Sequence, residues 1–227
     1  MPDKYYLNKL YPLQDRVLDV LREDLGPFYV TGGTVLGRFY LEHRYSDDLD
    51  VFCNDYDHFQ DHVNRLLELL RQNGYTLELG TVTNTFLRCW VQTVEVSLKL
   101  DFVNDIAYRV AKPMEHDSLV RVDHWMNILV NKLYAITRAE LKDIADIHAL
   151  SRRYPFHWRE IVEHARCKDA WVEPLAICRI LDSAPIFELE HIHWINPVEP
   201  EQVQEDLNMI RDDIFYGREN QLAQDGE

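Results

Sequence analysis

Tyr29-Val-Thr-Gly-Gly-Thr-Val-Leu-Gly-Arg-Phe-Tyr40, followed after a polar stretch by Asp48-Leu-Asp-Val-Phe52, is the part of the chain whose reading decides the fold. Phe28-Tyr29-Val30 reads as a short buried strand that runs into the turn Thr31-Gly32-Gly33-Thr34. Val35, Leu36, Phe39 and Tyr40 then recur at helical spacing, so the segment is strand, glycine turn, helix. Leu49, Val51 and Phe52 mark a second short strand, and Phe59, Val63, Leu66, Leu67 and Leu70 predict a covering helix that ends by Gly74.

Outward from this segment, Leu13, Val17, Val20 and Leu21 predict an amphipathic helix over Asn8 to Glu23, stopped by Gly26-Pro27. Downstream, Tyr75 to Asn104 is rich in β-branched and aromatic residues, with turn signals at Gly80 and Asn84; two or three more strands are expected there. Beyond Pro113 the pattern is helical: Trp125 to Ile136, Ala139 to Ser151 behind a capping box Thr137-x-x-Glu140, and further helices near Trp158, Pro174 and Pro200. The expectation is an α/β (α+β) chain, with a small mixed sheet and helices over residues 1–112 and a helical half over 113–227.

Alternate residues of a strand share a face, so Asp48 and Asp50 point together while Leu49 and Val51 point into the core. Such hard oxygen ligands suit Mg²⁺ (or Mn²⁺), which takes one or two carboxylates together with substrate phosphates. In Lys99-Leu-Asp-Phe-Val103 the same alternation offers Asp101 as a third carboxylate, with Asp105 and Glu95 as competitors; three acids allow two metals. Gly32 and Gly33 allow close backbone approach to phosphate oxygens, and the Thr34 hydroxyl adds a donor. The expected chemistry is in-line phosphoryl or nucleotidyl displacement.

In this order the elements resemble the DNA-polymerase-β-like nucleotidyltransferases. More narrowly, Tyr29 to Tyr40, His43-Arg-Tyr-Ser-Asp-Asp-Leu-Asp-Val-Phe52 and Asn131-Lys-Leu-Tyr-Ala-Ile-Thr-Arg-Ala-Glu-Leu-Lys-Asp-Ile-Ala-Asp-Ile-His-Ala-Leu150 are similar to the AbiEii-type nucleotidyltransferases, toxins of type IV toxin–antitoxin and abortive-infection systems. The resemblance spans about residues 25 to 182. It implies that Gly33 and Thr34 hold nucleotide phosphates, that Asp48 and Asp50 bind metal, and that Asp101 completes the set as third carboxylate and candidate base. It also implies that Lys132 reaches the triphosphate and that Asp143 or Asp146 organises the site. An NTP would be the substrate, a tRNA 3′ end or a protein hydroxyl the acceptor, and an antitoxin the partner. A nucleotide-binding module without catalysis is the reading from another class, and the intact acid set argues against it.

Composition bounds the rest. The 227 residues are 46% hydrophobic and 28% charged, an ordinary globular balance that excludes disorder and fibrous repeats. No apolar run reaches membrane-spanning length. Cys53, Cys89, Cys167 and Cys178 lack CxxC spacing, so buried reduced thiols and a cytoplasmic location are expected. His191-Ile-His193 has ligand spacing but no third ligand, and no GxSxG, HExxH or P-loop lysine motif occurs. The net charge of −15, of which −10 falls after residue 180, argues against general adhesion to nucleic acid. Arg152 to Lys168 is locally basic, and its interleaved Tyr154, Phe156 and Trp158 allow either RNA stacking or core packing.

Overall fold

The computed structural model describes residues 2–115 and 120–223. Its chain divides into two compact units, and no single cut after residue 112 separates them. One holds residues up to Val35, Tyr45–Ala107 and Lys112–His124; the other holds Leu36–Arg44, Tyr108–Ala111 and Trp125 onward.

The first unit is built on a seven-stranded mixed sheet of order β3-β4-β5-β2-β1-β7-β6. Its strands are β1 (Tyr29–Thr31), β2 (Asp48–Asn54), β3 (Thr76–Val82), β4 (Phe86–Gln92), β5 (Ser97–Asp105), β6 (Met114–Glu115) and β7 (Arg121–Val122). β2 runs antiparallel to β1 and parallel to β5, while β1 runs parallel to β7. The three strands between residues 75 and 105 match the expectation, but β6 and β7 were not anticipated. Two-residue strands are too short to carry a period.

Alternation along β2 is strict: Leu49, Val51 and Cys53 are buried while Asp48, Asp50, Phe52 and Asn54 are half-exposed. The buried face meets helix α4 (Phe59–Gln72), whose Phe59 lies 5.9 Å from Phe28, itself 6.0 Å from Phe102 of β5. The N-terminal helix is longer than its periodicity suggested. A turn at Pro2–Tyr5 (α1) widens into a π-turn at Tyr6–Leu10 and continues as α2 (Tyr11–Leu21), burying Leu13, Val17, Leu18 and Leu21.

After β1 the chain makes a four-residue helical turn, α3 (Gly32–Val35), and then a π-turn over Leu36–Tyr40. Among the described residues the second unit contains five further α-helices, α5 (Trp125–Ala135), α6 (Leu141–Arg153), α7 (Trp158–Lys168), α8 (Pro174–Asp182) and α9 (Pro200–Tyr216). Ile128, Leu129 and Leu133, Ile144, Ile147 and Leu150, Trp158 and Ile161, and Leu207, Ile210 and Ile214 form its core. The capping box expected at Thr137 does not form. Ile136–Arg138 is a 3-10 turn ended by Ala139 at φ +50°, and α6 starts one residue after Glu140, which makes no side-chain cap. Of the cysteines, Cys53, Cys89 and Cys178 are free and buried as expected, but Cys167 is exposed.

Candidate active site

Sheet register brings the charged residues of the first unit together. Asp50 stands opposite Thr31 on one side and Asp101 on the other, and Asp101 stands opposite Arg88. Asp48 stands opposite Lys99. Residues directly opposite on adjacent strands present their side chains to the same face, so Arg88, Asp101, Asp50 and Thr31 form one row across four strands. Register also distinguishes the positions of the competing third acids. Asp101 faces Asp50, whereas Asp105 faces Asn54, and Glu95 lies 3.6 Å from Lys9 in the turn between β4 and β5.

Both basic residues engage the acids. Arg88 donates two hydrogen bonds to Asp101, Nε to Oδ1 at 2.8 Å and a terminal nitrogen to Oδ2 at 2.7 Å. This fork geometry binds a carboxylate more firmly than a single contact does. Lys99 Nζ lies 2.6 Å from Asp48 Oδ2 and 3.9 Å from Asp101 Oδ2. Partial burial acts to lower the Lys99 pKa, but Asp48, with Asp101 and Asp50 behind it, outweighs burial and holds the ammonium above its ordinary value.

Gly32 acts here by close approach. At φ +77° it adopts a conformation that favours glycine, and a Cβ at this position would sit 2.2 Å from Asp50 Oδ2. The missing side chain therefore lets the backbone turn lie against the Asp50 carboxylate. Gly33 is buried in the same turn, as is Thr34, whose hydroxyl donates to the Asp48 carbonyl. That hydroxyl ties the turn to β2, a different task from the phosphate contact expected of it. Asp123, which the sequence reading did not single out, extends the row: it is fully buried and accepts a 2.8 Å hydrogen bond from Thr31 Oγ1. Its backbone N–H donates to the Val30 carbonyl. An isolated acid after a two-residue strand leaves no sequence signal.

In the second unit a separate ionic cluster surrounds Asp146, which is wholly buried on α6. Arg44 grips both carboxylate oxygens at 2.7 Å, His43 Nε2 lies 2.8 Å from Oδ1, and Lys132 Nζ lies 2.7 Å from Oδ2 and 2.6 Å from Asp143 Oδ1. Burial disfavours the Asp146 charge, yet Arg44 and Lys132 hold its carboxyl well below the usual range. Burial likewise acts against the Lys132 ammonium, but Asp146 and Asp143 outweigh it and raise its pKa. Lys132, Asp143 and Asp146 are thus an internally paired group, and the recruitment of Arg44 and His43 depends on contacts across roughly a hundred residues.

Two other expectations meet the structure differently. Trp158 is fully buried and belongs to the core, whereas Tyr154 stacks on Trp125 at 4.2 Å and stays half-buried, as does Phe156. Arg152 is 2.6 Å from Asp206, whose carboxyl His148 and Arg152 hold down at about 2 against the opposing effect of burial. His191 ends a 3-10 turn, its Nδ1 3.2 Å from the Glu188 carbonyl.

Asp48 and Asp50 supply the hard oxygen donors that Mg²⁺ or Mn²⁺ accepts, and the lack of a side chain at Gly32 leaves that side of Asp50 to the backbone alone. The pair fits a divalent cation. Among the described residues no group of three or more His, Cys, Asp or Glu side chains is arranged to enclose a metal. Among the same residues no helix is long and apolar enough to cross a membrane.

The fold is similar to two solved structures from Helicobacter pylori. JHP933 matches with a TM-score of 0.61 at 20% identity, over 91% of this chain and 90% of that one. A candidate nucleotidyltransferase matches with a TM-score of 0.60 at 19% identity, over 91% of this chain and 93% of that one. A search of curated protein sequences found no match. The sequence profile of the nucleotidyl transferase AbiEii toxin, type IV toxin–antitoxin system, matches residues 16–225; with the acid-bearing mixed sheet and helical C-terminal half, the chain belongs to that family of nucleotidyltransferase toxins.

Proposed function

We propose that this toxin transfers an NMP from an NTP, with Mg²⁺ (or Mn²⁺), to a macromolecular hydroxyl, foremost the 3′ end of a tRNA, with release of pyrophosphate. The observation that carries this reading is the row in which Asp50 lies between the Gly32 turn and Asp101, with Asp48 on the same face. Asp48 and Asp50 would hold the cation, which when bound supplies charge neutralisation at the transferring phosphate. The Gly32-Gly33 turn offers backbone N–H groups to phosphate oxygens, and Thr34 fixes that turn against β2. Asp101 shapes the field of the site as the partner of Arg88 and would act as a base only on release from it. Lys132, which the family resemblance assigns to the triphosphate, is held by Asp143 and Asp146 and would have to give up those contacts to take that role. Type IV membership makes a cognate antitoxin the expected partner.

Incubation with total RNA, each labelled NTP and Mg²⁺ tests the acceptor. Label is expected in RNA; label only in protein would move the acceptor to a protein hydroxyl, and no label with intact nucleotide binding would favour a non-catalytic module. Binding itself is read from thermal unfolding. Mg-NTP at a hundredfold excess over Kd stabilises the folded protein by about 2.7 kcal/mol. The resulting rise in midpoint is expected to shrink when Mg²⁺ is withheld and in Asp50→Asn. An equal rise in all three cases would place the nucleotide away from the carboxylates.

A further inference from the structure

Three acids on neighbouring strands raise the question of how many metal ions they hold. The answer turns on Lys99 and Arg88, which the register sets beside those acids. Lys99 Nζ stands between the carboxylates of Asp48 and Asp101, at 2.6 and 3.9 Å. Its ammonium therefore already supplies positive charge to both acids. Arg88 occupies both oxygens of Asp101. Neither contact is a chance meeting of long side chains, because the register sets Lys99 directly opposite Asp48 and Arg88 directly opposite Asp101. Lys99 is also well enclosed, with 30% of its side chain exposed.

We propose that Lys99 and Arg88 together replace the second divalent cation, so that the nucleotide-bound protein holds a single metal ion, on Asp48 and Asp50. The charge balance supports this. Two side-chain cations carry the charge of one divalent ion, so one metal with Lys99 and Arg88 matches the electrostatics of two metals on three bare acids. A second metal added to the native site would have to displace the Lys99 ammonium from Asp48 and the Arg88 fork from Asp101, losing charge-assisted contacts to gain its own. Lys99 then serves as a fixed cation beside the phosphates, a catalytic residue for the reaction proposed above, and the inference rests on that reading.

Electron paramagnetic resonance of Mn²⁺ tests it. Protein is titrated with Mn²⁺ in the presence of each of the four α,β-methylene nucleoside triphosphates, with nucleotide alone as the reference. Paired ions in a two-metal site lie about 4 Å apart and give a spin-coupled spectrum, whereas an isolated ion gives six lines. The wild type is expected to bind one uncoupled Mn²⁺ per chain, and Lys99→Arg to behave likewise. Lys99→Met, or the double variant Lys99→Met with Arg88→Gln, is expected to take up a second ion and show the coupled signal. A coupled pair in the wild type overturns the proposal, as does a single ion in both variants. Asp50→Asn separates the two levels: a wild-type pair abolished by Asp50→Asn removes only the role of Lys99. A wild type whose Mn²⁺ signal is that of nucleotide alone in solution, and indistinguishable from that of Asp50→Asn, removes the metal–nucleotide reading and this proposal with it.

Discussion

Asp50→Asn is expected to lower nucleotide transfer on the order of a thousandfold while the protein stays folded, and Asp48→Asn to do the same. Each substitution removes a charged oxygen from the cation site, and a divalent ion contributes several kcal/mol of charge stabilisation, each 1.36 kcal/mol being worth about tenfold in rate. Neither side chain belongs to the core: Asp48 and Asp50 are half-exposed on the face opposite Leu49 and Val51, so the unfolding midpoint in the absence of nucleotide should stay close to that of the wild type. Incorporation of labelled nucleotide and the thermal midpoint, measured on the same preparations, check both halves. Turnover like that of the wild type in either variant would remove the acids from the chemistry.

Asp146→Asn is expected to act in the opposite way, on stability before activity. Arg44, His43 and Lys132 all converge on this wholly buried carboxylate. Removing one partner of a buried ion group leaves uncompensated charge, at a cost of about 3–5 kcal/mol. The thermal midpoint should fall by roughly 10 °C in a chain of this size. Arg44→Met should produce a loss of similar size, and a change within a degree in either variant would show that the cluster contributes little net stability.

The pH dependence follows from the depressed Asp146 pKa. Its folded-state value lies well below the ordinary one, so the unfolded chain binds the proton more readily. The stabilisation is therefore complete above the unfolded value, about 3.9, and is lost as pH falls through the folded value. The stability gap between wild type and Asp146→Asn should thus be widest near neutrality and narrow in strong acid, as urea midpoints measured across pH would register.

Much of the acid-bearing face was legible without coordinates because a strand has a period of two. Asp48 and Asp50 necessarily share a face once Leu49 and Val51 are assigned to the core, and Asp101 necessarily opposes Leu100 and Phe102. The helix that buries Leu66 and the one that buries Ile144, Ile147 and Leu150 were legible for a related reason, a period of 3.6 sustained over long segments. Where the signal was short or local it decided less. The capping box at Thr137 was displaced by a left-handed Ala139, and Trp158, open in sequence to stacking or to core packing, is core.

The sequence by itself determined which side chains could share a face and in what order they arrive along the chain, because backbone periodicity is a local property. Only the tertiary structure decided which strand lies beside which and in what register. That placed Lys99 on Asp48 and Arg88 on Asp101, set Gly32 against Asp50, and brought Asp123 to Thr31. In the helical unit it gathered Arg44 and Lys132 around Asp146. Charges that far apart in sequence carry no mutual signal; they become partners through burial, where an acid without a matching cation would be too costly to leave charged.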